Sequence, residues 1–239
     1  MTHEKKKILI SGGRGSLAQE IERQNVDFDL VLLSKEEMDI TDINQVQSQI
    51  MIHKPDVILH CAAMTHPMES HNENPKKSIK NNILGTANIA MVCAEKKIKM
   101  VYISTDWVYP NKMKNTEKDG LLPATNYGWA KLGGECSVHM LPNYLVLRCS
   151  FTTRPYKFDK AFTDVYKSCL YVDEIAPLII ELITKESTGI YNVCGKIRTA
   201  YSFAKESNTN VGRISKEEVC SWIPDKCTMD NDKLMRELI

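Results

Sequence analysis

Five short apolar runs alternate with helix-like segments over the first 150 residues, and this alternation limits the fold more than any other feature. The runs are continuously apolar rather than alternating in polarity, which is typical of strands buried on both faces of a parallel sheet. Helical crossovers between such strands favour a doubly wound α/β fold. The predicted strands cover residues 6–11, 28–34, 55–63, 99–105 and 144–150, and the predicted helices cover residues 15–24, 42–54, 78–97 and 126–140.

Beyond residue 150 the alternation loosens. A helix is predicted within 171–186, a strand at 189–195, and short helices at 215–223 and 230–238. We therefore expect a nucleotide-binding domain at 1–150 and a small substrate-binding lobe at 151–239, packed together as a single structural unit.

Composition excludes several classes of protein. The formal net charge of +1 argues against a nucleic-acid or anionic-membrane surface. No apolar run approaches the ~20 residues of a membrane span, and no secretory signal precedes the first strand. The eight cysteines include no C-x-x-C pair, so we expect reduced thiols, a cytoplasmic protein and no metal site. His66 and His71 are interpreted as residues of a solvent-facing loop.

A glycine-rich turn follows the first predicted strand. In "SGGRGSLA", Gly12, Gly15 and Ala18 are small residues at a G-x-x-G-x-x-A spacing. Such a turn lets a pyrophosphate approach the backbone, and the free N–H groups at the helix start, near Ser16 and Leu17, would bind it.

The ends of the next two strands indicate which dinucleotide binds. Dinucleotide sites that prefer NAD place a carboxylate at the end of the second strand, whereas this chain has Ser34 and Lys35 there. A hydroxyl and an ammonium favour a 2′-phosphate, so NADPH is expected, with NADH possible. Cys61, Ala62 and Ala63 follow the third strand and are small enough for a cofactor to lie against them.

Tyr127 and Lys131 are four residues apart in "TNYGWAKLGGE". On a helix their Cβ atoms would lie ~5–6 Å apart on one face. We expect the ammonium to lower the pKa of the phenol, which could then protonate a carbonyl oxygen during hydride transfer. Thr105, at the end of the fourth strand, would lie beside the nicotinamide.

The chain resembles the extended short-chain dehydrogenase/reductase superfamily, which has a Rossmann-type fold, and within it the dTDP-4-dehydrorhamnose reductase family. The resemblance spans nearly the whole chain in order, and its most specific part combines "STDWVY" with "YGWAKLGGE". The other matching segments are "KILISGGRGSLAQEI", "MDITD", "PDVILHCAAMT", "NNILGTANIA", "LVLRCS", "YVDEIA" and "IPDKCTMDNDKL".

The resemblance implies NADPH-dependent reduction of a 4-keto group in a nucleotide-linked 6-deoxyhexulose, for deoxysugar or rhamnose biosynthesis, by a possible homodimer. It implies that Thr105 orients the keto oxygen, Tyr127 is the acid, and Lys131 tunes Tyr127 and binds ribose. The expected cofactor-binding residues are Gly12, Gly15, Ser16, Leu17, Ser34, Lys35, Asp39, Ile40, Cys61, Ala62, Ala63, Thr65, Asn82, Tyr127 and Lys131, and the expected substrate-binding residues are Thr65, Thr105, Trp107 and Phe151.

Departures from the family pattern keep two alternatives open. The segment from Phe151 to Tyr171 is shorter than in the family, and Phe151 stands where tryptophan is usual. One alternative is a non-catalytic, NADP-binding subunit resembling the regulatory subunit of methionine adenosyltransferase. The other is a bifunctional epimerase-reductase, for which Cys61, His66 and Lys114 are candidate acid/base groups.

Overall fold

The computed structural model describes residues 5–25, 27–219 and 222–239. Within these ranges, no helix is both long and apolar enough to cross a bilayer. In chain order the strands are β1 (Lys7–Ser11), β2 (Asp29–Leu33), β3 (Val57–His60), β4 (Lys99–Thr105), β5 (Tyr144–Cys149), β6 (Phe151–Thr152), β7 (Lys160–Phe162), β8 (Tyr166–Lys167), β9 (Leu170–Tyr171), β10 (Gly189–Val193), β11 (Arg198–Thr199) and β12 (Gly212–Ile214). The α-helices are α1 (Ser16–Gln24), α2 (Ile43–His53), α3 (Ser70–Glu73), α4 (Pro75–Ser78), α5 (Gly85–Lys96), α6 (Asn126–Val138), α7 (Val172–Thr184), α8 (Ala200–Lys205) and α9 (Asp232–Leu238).

The described residues form a central six-stranded sheet with the order β10-β5-β4-β3-β1-β2. Every pairing in it is parallel, so the predicted Rossmann-type α/β fold is confirmed. The strand order reverses between β1 and β3, where ligands bind in open parallel sheets. Gly12 has φ +73 at this point, and a Cβ there would lie 2.8 Å from the Ala62 backbone. Glycine is therefore required for the first turn to pack against the end of β3.

Both faces of the sheet are covered, and the side chains of each strand divide between two apolar cores. Along β1, Ile8 and Ile10 pack into the core with α1 and α7, whereas Leu9 packs into the opposite core with α2 and α5. Along β5, Leu147 and Val146 divide in the same way. Burial on both faces explains why the strands read as continuous apolar runs.

The part of the chain after residue 150 contributes both to the central sheet and to smaller strand pairs. β10 returns to the central sheet beside β5, and α7 packs in the same core as α1. The remaining strands form three small pairs, β6 with β9, β8 with β11, and β7 with β12. Of the helix expected at 215–223, the structure has a 3-10 turn at Lys216–Glu218, and residues 220 and 221 lie outside the described ranges.

The helix predicted at 78–97 is interrupted. A π-helical turn, Ile79–Leu84, separates α4 from α5, and such turns are frequent at functional sites. The third strand is also shorter than expected, because the chain leaves β3 after His60 and crosses the edge of the sheet as a loop. The π-helical turn carries Asn82, whose side-chain amide bonds both backbone groups of Met64 in that loop at 2.8 and 2.9 Å.

Close neighbours explain the glycines of α6. A Cβ at Gly128 would lie 2.3 Å from the Trp107 carbonyl oxygen, and one at Gly134 would lie 2.5 Å from the Asn82 carbonyl oxygen. The glycines lower the helix propensity of α6, but they allow these carbonyl groups to lie close to the helix. The Thr125 hydroxyl, which accepts from Gly128 N–H at 3.1 Å, caps the start of the helix.

Candidate active site

The turn between β1 and α1 is built to receive an anion. Gly15 is the N-cap of α1 and offers no side chain, and the first turn contains no acidic residue. The first N–H groups of the helix and its positive dipole end therefore favour a phosphate. Ser16 and Leu17 begin the helix, but the Leu17 side chain is buried in the core, so only its backbone can contact a ligand.

A cleft of about 830 Å³ opens beside this turn. It lies between the start of α1 and the chain after β6, and its lining includes Ser16, Arg154 and Asp173. Arg154 is held at 2.9 Å from Glu174 and 3.4 Å from Asp173. The volume is in the range of small-molecule sites.

One hydroxyl and one cation follow β2, and a second cation comes from the turn between β1 and α1. Ser34 is 3% exposed, and its hydroxyl lies near the Glu36 and Glu37 carboxylates and helps to lower their pKa values. Lys35 is exposed, and Arg14, which the sequence reasoning did not select, lies 3.0 Å from Glu36. These donors suit a 2′-phosphate, although the Glu36 carboxylate competes for Arg14.

The residues expected beside adenine lie in the next loop. The Asp39 carboxylate accepts from the Thr41 N–H at 2.9 Å and from its hydroxyl at 2.8 Å, which leaves it committed to its own turn. Ile40 is buried, and its carbonyl accepts from Asn88 at 2.9 Å. Their contact with adenine stays a prediction.

The loop after β3 carries the other expected contacts. Cys61, Ala62 and Ala63 are half-buried, and Thr65 is exposed. The amide of Asn82 bonds both backbone groups of Met64, so Asn82 positions this loop, and its contact with a cofactor stays a prediction.

Thr105 and Tyr127 meet where β4 ends against the first turn of α6, and Lys131 follows Tyr127 by one turn of that helix. The Thr105 hydroxyl accepts from Trp107 N–H at 3.3 Å and donates to Asp106 at 3.1 Å. Tyr127 is half-buried, and Lys131 is 3% exposed with its Nζ 4.1 Å from the centre of the Tyr102 ring. The helix thus directs both side chains toward the carboxyl edge of the sheet.

The electrostatics of this pair differ from expectation. Burial raises the pKa of Tyr127, and the Thr105 hydroxyl offsets this effect only in part. Burial also lowers the pKa of Lys131 to about 7, against an opposing effect of Glu135. The expected lowering of the Tyr127 pKa by Lys131 is therefore wrong, because burial dominates and the nearby Asp106 and Cys149 raise this pKa further.

A buried ionic cluster joins α6 to the neighbouring strands. Glu135 lies one turn beyond Lys131 and pairs with Arg148 of β5, whose Nε is 3.2 Å from the carboxylate. Ser104 donates to the same carboxylate at 2.6 Å. Arg148 also donates to the Tyr109 hydroxyl at 2.8 Å, which ties the helix to two strands and the loop after β4.

An aromatic cavity of about 160 Å³ adjoins the triad. Trp107 and Trp222 meet edge to face at 6.2 Å, and Trp107 and Tyr127 meet similarly at 5.8 Å. His71 also lines this cavity, and its ring is 5.1 Å from that of Tyr127. The expectation of a solvent-facing loop is wrong for His71, which is 1% exposed in α3.

A second buried charge pair lies beside Thr105. Lys167 of β8 is 3.1 Å from Asp106, and its Nζ is 5.0 Å from the centre of the Trp107 ring. The two partners are 61 residues apart in sequence, so no local pattern could have revealed the pair. Phe151, expected at the sugar site, packs against the core formed with α7.

The structure gives little support to Cys61, His66 and Lys114 as acid/base groups of an epimerase. Burial raises the pKa of the Cys61 thiol to about 12, which makes it a poor base at neutral pH. His66 and Lys114 are exposed.

The comparisons with known proteins agree with this geometry. The dTDP-4-dehydrorhamnose reductase of Aggregatibacter actinomycetemcomitans is 30% identical over 156 residues, covering 63% of this chain and 53% of that protein. The chain thus spans about half the length of this relative. The spore coat polysaccharide biosynthesis protein SpsK of Bacillus subtilis is 27% identical over 219 residues, covering 83% of this chain and 77% of that protein.

A solved structure is also similar over its whole length. The dTDP-4-dehydrorhamnose reductase of Bacillus anthracis, determined in complex with NADP, superimposes with a TM-score of 0.86 at 26% identity, covering 98% of this chain and 93% of that one. The family model described as "RmlD substrate binding domain" matches residues 6–168, more than half of the chain. The resemblance inferred from the motifs is confirmed, and the protein belongs to the RmlD substrate binding domain family.

Proposed function

We propose that the protein is an NADPH-dependent oxidoreductase that reduces the 4-keto group of a nucleotide-linked 6-deoxyhexose, with dTDP or UDP as the nucleotide. The observation that carries the proposal is the hydrogen bond between the Thr105 hydroxyl at the end of β4 and the Tyr127 phenol in the first turn of α6, one helical turn before Lys131. The names of the relatives, which include a dTDP-4-keto-6-deoxy-D-glucose reductase of Streptomyces niveus, support the substrate class.

The described residues fit the cofactor. The uncapped start of α1 suits its pyrophosphate, and the cations Lys35 and Arg14 suit a 2′-phosphate. Lys131 would hold the nicotinamide ribose. When bound, the reduced nicotinamide supplies the hydride that reduces the keto carbon.

Tyr127 supplies the proton in this proposal. A keto oxygen that becomes an alkoxide is more basic than a phenolate, so proton transfer from Tyr127 is favourable even though burial raises the pKa of this residue. The raised pKa keeps the phenol protonated at neutral pH until the alkoxide develops.

In this proposal Thr105 orients the keto oxygen and Lys131 stabilises the tyrosinate. The Thr105 hydroxyl donates to Asp106, and by rotating it can donate to the keto oxygen instead. Lys131, with a pKa of about 7, is present partly as a cation that stabilises the tyrosinate left after proton transfer.

The second candidate is a non-catalytic NADP-binding subunit. It is favoured by the short chain between Phe151 and Tyr171, which forms only β6 to β9 and gives the sugar little cover. The presence of Thr105, Tyr127 and Lys131 favours the enzyme, since binding alone does not require an acid, its lysine and an orienting hydroxyl together.

One incubation separates these possibilities. The protein is mixed with NADPH and with dTDP- or UDP-linked 4-keto-6-deoxyglucose or 4-dehydrorhamnose, and the products are identified by NMR. Reduction of a 4-keto sugar supports the enzyme, and rhamnose formed from the glucose-configured ketone would add epimerase activity. Tight NADPH binding without oxidation of NADPH on any of these substrates would establish the binding subunit instead.

We also propose that the protein is cytoplasmic and forms a homodimer. The seven described cysteines are all free, which suits a reducing compartment. Light scattering of the purified protein tests the dimer, and a monomeric mass would reject it.

A further inference from the structure

Tyr102 of β4 contacts Lys131 at two points. The centre of its ring lies 4.1 Å from the Lys131 Nζ, and its hydroxyl donates to the Lys131 backbone carbonyl at 3.1 Å. Tyr102 has no exposed surface, and Lys131 is 3% exposed. One buried side chain thus contacts both the helix turn and the ammonium of a residue in the proposed active site.

The Tyr102 ring is itself held in place. His60 of β3 stacks on it, with the ring centres 5.7 Å apart and 25° between the two planes. Ser11 and Thr86 fix the imidazole, since their hydroxyls lie 2.6 Å from Nδ1 and 3.0 Å from Nε2. These contacts, together with the bond to the Lys131 carbonyl, give the tyrosine ring a fixed orientation.

The sequence of α6 leaves room for the Tyr102 hydroxyl. A Cβ at Gly134 would lie 2.8 Å from this oxygen and 3.0 Å from the Thr86 hydroxyl. A larger residue would displace either the tyrosine or the helix. Gly134 therefore permits a second close approach besides that of Asn82, and this one keeps Tyr102 against Lys131.

An aromatic face stabilises a buried cation without carrying a charge of its own. The face of the ring is electron-rich, and its attraction for an ammonium is strongest where water is excluded. The Tyr102 phenol stays neutral, because burial raises its pKa. Burial also lowers the pKa of Lys131 to about 7, so a modest stabilisation of the cation changes how much of it exists at neutral pH.

The other titratable groups around the ammonium compete little with the ring. Those on neighbouring elements are His60 of β3, Cys61 of the loop after it and Cys149 of β5. Burial lowers the pKa of this imidazole to about 3 and raises the pKa of both thiols, so all three groups are uncharged at neutral pH. On α6 itself, Tyr127 keeps its proton, and Glu135 is paired with Arg148.

We propose that Tyr102 is a positioning residue that acts through Lys131: its aromatic face holds the ammonium in place and keeps it charged, while its hydroxyl fixes the turn of α6 that carries the lysine. This inference rests on the proposed function, in which the Lys131 cation stabilises the tyrosinate. The ring suits this role because a carboxylate in its place would accept from the N–H groups that the lysine needs for ribose.

The titration of Lys131 in the protein without cofactor tests the inference. Lysines are labelled with 13C at Cε, and the Lys131 signal is identified by its loss in Lys131→Met. Tyr102→Leu removes the ring, so we expect Lys131 to titrate at least ~1 pH unit lower than in wild type. Tyr102→Phe keeps the ring and should titrate close to wild type. A merely structural role predicts the opposite sign for Tyr102→Leu, because a cavity that admits water would raise the midpoint.

A matched control comes from the other side of the sheet. Tyr191 of β10 is 4% exposed, and its ring centre lies 4.0 Å from the Lys233 Nζ. Tyr191→Leu removes a similar ring from a similar contact and should leave the Lys131 midpoint unchanged. An equal fall in Tyr191→Leu and Tyr102→Leu would overturn the inference.

A second pair of variants covers the case in which Tyr102→Leu does not fold. Tyr102→Phe and Tyr102→trifluorophenylalanine, the latter made by codon suppression, have nearly the same shape, but fluorine withdraws electrons from the ring face. The Lys131 midpoint should be lower in the fluorinated variant. Equal midpoints in these two variants would overturn the inference, as would a midpoint in Tyr102→Leu that is unchanged, raised or matched by Tyr102→Phe.

Turnover separates failure of this inference from failure of the proposed function. On a 4-keto sugar with saturating NADPH, kcat should decrease as the pH rises through the Lys131 midpoint, and the decrease should begin ~1 pH unit lower in Tyr102→Leu. Normal turnover by this variant, with an unchanged pH profile, overturns the role of Tyr102 alone. The expected Lys131 titrations in a protein that oxidises no NADPH overturn the proposed function alone.

Discussion

Glu135 and Arg148 form an ion pair with no access to solvent, and Arg148 Nη2 lies 2.5 Å from the Glu135 carboxylate. The pair joins the helix that carries Tyr127 and Lys131 to the neighbouring strand β5. Because Glu135 is one helical turn from Lys131, its charge raises the pKa of that lysine. Stability and site electrostatics therefore depend on the same contact.

The first prediction concerns the cost of breaking this pair. Glu135→Gln keeps the shape of the side chain but leaves the Arg148 cation uncompensated, and we expect a loss of ~3–5 kcal/mol in the free energy of unfolding in urea. The exposed pair of Glu95 and Lys96 offers a matched control, and Glu95→Gln should cost below ~1 kcal/mol. Equal effects of the two variants would contradict the assignment.

The Glu135 carboxylate should make the stability of the fold depend on pH. Burial alone would raise the pKa of Glu135, but hydrogen bonds from His139 and Arg148 lower it from its ordinary 4.5 to about 2. Its contribution to stability is present above pH 4.5 and is lost as the pH falls toward 2. Urea unfolding over this range should show a steeper loss in wild type than in Glu135→Gln.

Lys131 should destabilise the fold at neutral pH. Its pKa falls from 10.5 unfolded to about 7 folded, so the unfolded state binds more protons between these values and stability rises with pH. Lys131→Met should therefore be more stable than wild type at pH 6, by a few kcal/mol at ~1.4 kcal/mol per pKa unit. The difference should shrink by pH 10, and the exposed control Lys118→Met should show no such trend.

Tyr127→Phe tests the acid. The variant lacks the proton donor and should lose ~10²–10⁴-fold in turnover of a 4-keto sugar. NADPH binding, followed by the change in NADPH fluorescence, should remain nearly intact because the phosphate contacts are elsewhere. Full turnover in Tyr127→Phe would remove this residue from the mechanism.

Cofactor preference should depend on the charges after β2. Lys35→Asp places a carboxylate where a 2′-phosphate is expected and should move the ratio of kcat/KM values toward NADH. Glu36→Gln should have the opposite effect, because it releases Arg14 from its 3.0 Å ion pair. An unchanged ratio in both variants would mean that the 2′-phosphate binds elsewhere.

The sequence was sufficient for those features that depend on local pattern. The apolar runs predicted β1 to β5 to within three residues at each end, since burial on both faces requires continuous apolar strands. The spacing of Tyr127 and Lys131 predicted a shared helical face. The pattern also placed Thr105 correctly at the end of β4.

Features that depend on contacts between distant segments of the chain could not be predicted from local sequence pattern. The contact of Lys167 with Asp106 joins residues 61 positions apart, and the burial of His71 depends on packing against α6. The pKa of Tyr127 was predicted with the wrong sign because spacing reveals the neighbouring charge but not the extent of desolvation.

Close packing at Gly134 has a practical consequence for anyone who tries to make this protein more heat-resistant. Exchanging a helical glycine for alanine is a common stabilising change, worth ~1 kcal/mol. In α6, however, the added methyl group would collide with the Asn82 carbonyl and push the helix off its neighbours. Gly120, where a methyl group would meet nothing within 4 Å, is the safer starting point for engineering, whereas α6 has to remain a poor helix former.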